Sequence, residues 1–217
     1  TRGGTGSPVV LALETLSMGP ACRITVTIRD PSRRFGLDDL GLSPELGRRL
    51  RQWTAARQGL LLVVGGSDSG RTTLLRALAA RMAGYRPSAM LLHDPVSSPE
   101  TGWFERGRND EQGLDALTEA LATNPRVLLV DDCDTAGLAR AAFATALQDR
   151  LVIATLRGRD GAEALQRLRD QGLDDLFLGE QLVGVVETRL VRLLCSSCWA
   201  RGPLDRALAG RLGLVLD

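Results

Sequence analysis

The stretch Gly65-Gly66-Ser67-Asp68-Ser69-Gly70-Arg71-Thr72-Thr73 decides how this chain folds. It follows Leu60-Leu61-Leu62-Val63-Val64, an unbroken apolar run, and leads into a helix predicted from about Thr72 to Met82. A continuous apolar run suits a strand buried on both faces of a parallel sheet. The spacing fits the frame G-x-x-x-x-G-[K]-[ST], with Arg71 in the lysine position. Glycines at 65 and 70 let the backbone curl so that successive N–H groups point inward and cradle phosphate. The following helix adds its dipole, and Thr72 is placed to ligate Mg²⁺.

Two residues in this loop oppose its chemistry. Lysine supplies a compact ammonium that reaches the β and γ phosphates, whereas arginine is planar, bulkier and not interchangeable with it at a tight site. Asp68 puts a carboxylate inside the cradle, where like charges at close range cost on the order of a kcal/mol or more. Tight ATP binding is therefore not expected. All 27 basic residues of the chain are arginine, so Arg71 taken alone carries a share of compositional drift.

Outward from the loop, strands alternate with helices. Further apolar strands are predicted at Ala89–Leu92, Val127–Val130 and Leu151–Ala154, with amphipathic helices at about Gln112–Thr123, Ala136–Leu147 and Gly161–Gln171. Upstream, Ser43-Pro44-Glu45 opens a helix that runs to about Arg57: Ser43 caps, Pro44 suits the first helical position, and Glu45 faces the positive dipole end. Arg23–Ile28 alternates apolar and polar residues as a half-buried edge strand does. Ser97–Gln112 is polar and glycine-rich and reads as a long surface loop. This order gives a doubly wound, mostly parallel α/β sheet.

The strand Val127–Val130 ends in Asp131 and Asp132. Carboxylates at the end of a strand beside a phosphate loop hold Mg²⁺ and position the attacking water. Two aspartates can fill both roles, or they can simply start the next helix, with Asp134 or Thr135 capping it.

Composition excludes several classes. With 27 basic and 26 acidic residues the formal net charge is +1, so no global attraction to nucleic acid or anionic lipid is expected. No basic stripe interleaved with aromatics suggests nucleic-acid binding. No apolar run reaches the ~18–20 residues that span a bilayer. Four scattered cysteines do not make a disulfide scaffold, and a reducing cytoplasm is the expected setting.

Several segments, taken in order, resemble the motor ATPases of bacterial type II secretion and type IV pilus assembly. Leu37-Asp-Asp-Leu-Gly-Leu-Ser-Pro-Glu45 and Gly59–Gly65 are similar to the stretch leading into that family's P-loop. Leu92-His93-Asp94-Pro95-Val96 resembles its aspartate box, Asn124–Asp134 its Walker B region, and Leu151–Arg157 its histidine box. Leu182–Cys198 follows its run into a cysteine motif. The resemblance covers about Val9 to Arg201 and implies a RecA-like P-loop NTPase fold, ATP and Mg²⁺ as ligands, and hexameric rings. It divides the chain into residues 1–30, a linker with a junction strand left from an N-terminal domain; 31–194, the ATPase-like domain; and 195–217, a CxxC segment and helix.

Departures from the family pattern fall on the chemistry. The P-loop lysine is Arg71 and a P-loop glycine is Asp68. The aspartate-box glutamate is His93, which leaves Asp94 as a vestigial acid. The Walker B glutamate maps to Asp132, the histidine-box histidine to Arg157, and two active-site arginines to Ala12 and Thr27. Cys195-x-x-Cys198 is half of a zinc site, which takes four ligands; Cys22 and Cys133 map to other strands. His93, the only histidine, is expected to line a pocket and not to bind metal.

The expected function is a degenerate motor-ATPase-like domain, a pseudo-ATPase that docks on protein components of a pilus or secretion machine. An active homologous ATPase is one candidate partner, and contact with the inner membrane is indirect. The alternatives are a slow ATPase using Asp131 and Asp132, or a sensor that binds nucleotide without hydrolysing it.

Overall fold

A computed structural model describes residues 10–18, 21–29, 35–83, 89–93, 104–107, 113–195, 197–200 and 211. Six strands form one sheet: β3 (Gly59–Gly65), β4 (Ala89–His93), β5 (Phe104–Gly107), β6 (Val127–Val130), β7 (Leu151–Arg157) and β8 (Leu182–Glu187). Their spatial order is β5-β4-β6-β7-β3-β8, and every pairing in it is parallel. Between them lie α2 (Arg71–Ala83), α3 (Gly113–Ala122), α4 (Ala136–Ala144), α5 (Gly161–Asp170) and α6 (Asp175–Gln181), with α1 (Pro44–Trp53) ahead of β3.

The apolar runs form strands because both faces of the sheet are covered. Alternate residues of β3 enter opposite cores. Leu60, Leu62 and Val64 pack with Ala116 and Leu117 of α3, Phe143 of α4 and Leu168 of α5. Leu61 and Val63 pack with Leu50 of α1 and Leu75, Leu78 and Met82 of α2. All seven residues of β3 are buried. A fully buried leucine or valine side chain contributes about 1.5–3 kcal/mol relative to exposure, so the central strand is a main anchor of the fold.

Local signals set the ends of several elements. Ser43 Oγ accepts a hydrogen bond from the Leu46 N–H at 3.2 Å, and Pro44 occupies the first turn of α1. That helix ends at Trp53, short of the expected Arg57, where Thr54 Oγ1 turns back to the Leu50 carbonyl at 2.8 Å. The expected helix over 136–147 divides into α4 and a 3-10 turn over Thr145–Leu147.

Two expectations are corrected. The long loop over 97–112 contains β5, which pairs in parallel with β4 along Met90–His93 at the sheet edge. The segment 23–28 belongs to β2 (Ala21–Arg29), paired antiparallel with β1 (Val10–Met18) in a separate two-stranded sheet. Two of its apolar residues are exposed and not half-buried: Ile24 is 61% and Val26 52% exposed.

Candidate functional site

Parallel strands point their carboxyl ends to one edge, and three of these ends converge. In the β3–β7 register Gly65 lies opposite Arg157, and in the β6–β7 register Val130 lies opposite Ala154. The loop after β3, the aspartates after β6 and the last residue of β7 therefore meet at the start of α2.

The loop is tightly built. A Cβ at Gly65 would lie 2.2 Å from Ser69 Oγ and 2.6 Å from Thr188 Oγ1, so only glycine fits the close approach of loop and β8. Ser69 Oγ and Thr188 Oγ1 share a hydrogen bond of 3.1 Å, and the Thr188 N–H donates to the Val64 carbonyl at 2.8 Å. Gly70 has φ +92° and Asp68 has φ +54°. Asp68 thus keeps a left-handed backbone that glycine adopts without a Cβ penalty.

Arg71, the first residue of α2, is 9% exposed. Its Nη2 pairs with Asp132 Oδ1 at 3.1 Å, and Arg157 Nη2 approaches Asp132 Oδ2 at 3.7 Å. The network continues outward: Arg157 Nε meets Asp134 Oδ2 at 3.0 Å, and Arg167 Nη2 meets Asp134 Oδ1 at 3.5 Å. The Arg157 N–H donates to Asp134 Oδ1 at 2.7 Å, which ties the end of β7 to the segment after β6.

The two aspartates after β6 are separated by this geometry. Asp131 is buried and accepts a 2.7 Å hydrogen bond from Thr155 Oγ1, joining β6 to β7. Asp132 has φ +47°, its N–H donates to Thr155 Oγ1 at 2.8 Å, and its carboxylate lines the cleft. Asp94 and the side chains of His93, Ala12 and Thr27 lie outside the described residues, though the backbone register pairs Ala12 with Thr27.

Two clefts meet at the loop. One, of about 540 Å³, is polar, lined by Ser67, Asp68, Ser69, Gly70, Arg71, Thr72 and Thr73 with Arg76, Asp132, Arg157 and Leu190. The other, of about 380 Å³, shares Ser69, Gly70, Thr73 and Leu190 and adds the apolar Phe35, Leu40, Leu42, Leu46, Leu74 and Val186 together with Asp39, Glu187, Thr188 and Arg189. The first has the chemistry of a phosphate site, the second that of a flat apolar group. Arg76 is legible in sequence as the residue one helical turn after Thr72. Thr188 and Leu190 have no sequence signal, because only the placement of β8 beside β3 brings them to the loop.

Phosphate fits these residues and Mg²⁺ does not. A metal ion here draws on a Thr72-type hydroxyl and a carboxylate at the end of a nearby parallel strand. That carboxylate, Asp132, already pairs with Arg71 and faces Arg157. At an effective dielectric near 20, a divalent ion about 4 Å from one guanidinium meets repulsion on the order of 8 kcal/mol, which offsets the attraction of one carboxylate at the same distance, and the lining holds three arginines against two aspartates.

Cys195 and Cys198 share a tight turn in which the Cys198 and Trp199 N–H groups donate to the Cys195 carbonyl at 3.3 and 3.0 Å. The backbone N–H of Ser197 and the Cys198 thiol hold Cys195 below the usual thiol range, while the hydrogen bond to Cys195 pushes Cys198 up. Both are exposed; Cys133 is buried after β6 and Cys22 is exposed on β2. Among the described residues no cluster of three or more His, Cys, Asp or Glu is arranged to hold a metal ion.

Residues 8–212 match the family described as Type II/IV secretion system protein. Type II secretion system protein HxcR of Pseudomonas aeruginosa is 29% identical over 197 residues, covering 89% of this chain and 42% of the relative. Type IV pilus assembly ATPase PilB of Thermus thermophilus is 30% identical over 181 residues, covering 82% of this chain and 20% of the relative. The chain thus spans under half the length of these relatives. Among solved structures, the pilus retraction motor PilT with bound ADP aligns at a TM-score of 0.65 and 18% identity, covering 83% of this chain and 59% of that one. The ATPase DotB of Legionella pneumophila aligns at 0.58 and 20% identity, covering 78% and 49%. These likenesses carry the fold: a RecA-like P-loop α/β domain.

Proposed function

The chain belongs to the Type II/IV secretion system protein family, and from that premise we propose that it is a member that does not hydrolyse ATP and acts through its surface. The observation that carries this reading is the double engagement of Asp132. A carboxylate that orients an attacking water needs free lone pairs facing the phosphate. Here Arg71 and Arg157 stand on its two oxygens at 3.1 and 3.7 Å. The residue at the lysine position is thus held by a carboxylate of the same chain.

An exposed apolar segment begins at Leu190, which lines the cleft. Leu190, Val191, Leu193 and Leu194 follow β8 and are 71–87% exposed. Contiguous exposed apolar side chains suit an interaction with another protein. The partner class is a component of a pilus or secretion machine, an active homologous ATPase among them. No described helix is long and apolar enough to cross a membrane. The setting in this reading is the cytoplasm, with the inner membrane reached through partners.

Phosphate release from ATP, with and without Mg²⁺, tests the reading. Release at the level of a protein-free blank is expected. Release that disappears in Asp132→Asn would establish an active ATPase and sink the proposal. A second reading, nucleotide binding without turnover, is favoured by the two clefts that meet at Ser69 and Gly70.

A further inference from the structure

Three arginines, Arg71, Arg76 and Arg157, line the polar cleft against two carboxylates, Asp68 and Asp132. The lining therefore carries one positive charge in excess. Two donors of these arginines are buried without a hydrogen-bond partner: Arg71 Nη1 and Arg76 Nε. The rest of Arg71 is nine-tenths buried, fixed by Asp132 at the head of α2. A buried guanidinium N–H with no acceptor is costly; both nitrogens are closed to solvent, so the loss is recovered when a side-chain turn brings them to an acceptor in the cleft. Phosphate oxygens are the acceptors a guanidinium fork matches best.

From this geometry we infer that the cleft binds the phosphates of a nucleoside di- or triphosphate as the free anion, without a divalent cation. The guanidiniums of Arg71, Arg76 and Arg157 supply the positive charge that a metal ion supplies in most phosphate loops. Asp132 is committed to Arg71 and faces Arg157, so it is not a metal ligand. A chelated phosphate would bring two further positive charges into a lining that is already positive. The apolar cleft beyond Ser69 and Gly70, faced by Phe35, Leu40 and Leu190, takes the base. The inference rests on the loop being a phosphate site and is independent of whether the bound nucleotide is turned over.

The test is a titration of a fluorescent ADP analogue against the chain, in excess chelator and in excess MgCl₂, read by anisotropy. Affinity in chelator equal to or tighter than in MgCl₂ is expected. Arg76→Gln and Arg157→Gln should each weaken binding in chelator by about tenfold or more, the scale of one hydrogen bond to a charged group. Thermal melts of both variants verify that they remain folded. Affinity tighter by about tenfold in MgCl₂ than in chelator would overturn the inference. So would binding indifferent to both folded variants, or no binding in either buffer. Turnover in a parallel phosphate-release assay would defeat the non-hydrolysing reading, while the chelator titration alone decides this one.

Discussion

Arg71 Nη2 lies 3.1 Å from Asp132 Oδ1, so the cation of the phosphate loop is held by the carboxylate that follows β6, two strands away from β3 in the sheet. Arg71 is nearly buried, whereas the Asp132 side chain is 42% exposed. The pair is therefore unequal. Removing the aspartate strands a buried charge, and removing the arginine frees a carboxylate that water can reach.

Asp132→Asn should lower stability by about 1–3 kcal/mol in phosphate-free buffer, below the range of a fully buried pair because Asp132 is partly solvated. The same change removes a competitor for phosphate at Arg71 and Arg157. Inorganic phosphate should therefore raise the melting temperature of the variant more than that of the parent chain. Thermal melts across a phosphate series measure both effects.

Asp68 holds φ at +54°, where a residue with a Cβ carries a penalty of up to about 1–2 kcal/mol, smaller for aspartate than for most residues. Asp68→Gly relieves this and adds freedom to the unfolded chain, so the net gain should be about 0.5–1 kcal/mol. It also removes a carboxylate from the polar cleft. Urea unfolding should show a higher midpoint, and the titration above should show tighter anion binding.

Arg150 precedes β7 at the opposite edge of the sheet and is 5% exposed. Its Nε donates to the Pro125 carbonyl at 2.6 Å and its Nη2 to Asn124 Oδ1 at 3.2 Å. Burial lowers its pKa from the ordinary arginine value. Arg150→Ala should cost about 2–3 kcal/mol, because it opens a void and leaves the Pro125 carbonyl unsatisfied. Urea denaturation reads this directly, and anion affinity should stay unchanged.

Cys195 and Cys198 differ in pKa direction, the first lowered and the second raised. The thiolate is the nucleophile. As pH rises from neutrality, alkylation by iodoacetamide should therefore begin at Cys195 and reach Cys198 later. Peptide mapping of samples labelled at stepped pH measures the order; equal labelling of the two would refute it. Buried Cys133 should stay unlabelled while the chain is folded.

Much of the fold is legible residue by residue. β3 and β6 read correctly because a strand covered on both faces needs an uninterrupted apolar run, which Leu60–Val64 and Val127–Val130 supply. α1 reads at its start because Ser43 and Pro44 act on backbone groups one turn away. β5 does not read. Its four residues sit in a polar segment, and they form a strand only because the edge of β4 offers a ladder. The alternation of β2 reads as a strand, but nothing local says that Ile24 and Val26 face outward.

The candidate site divides in the same way. Local spacing alone determined the phosphate loop, since glycine freedom, strand end and helix start all act within nine residues. It also showed that Arg71 and Asp68 depart from the chemistry of such a loop, while the departures at Asp132 and Arg157 followed from the family resemblance. Only the tertiary structure decided what those departures do together. Asp131 turns to Thr155 and Asp132 to the cleft, where Arg71 and Arg157 close on it from two other strand ends. An ion pair is set by distances of 3–4 Å between side chains far apart in sequence. The order in which β6, β7 and β3 lie in the sheet sets those distances.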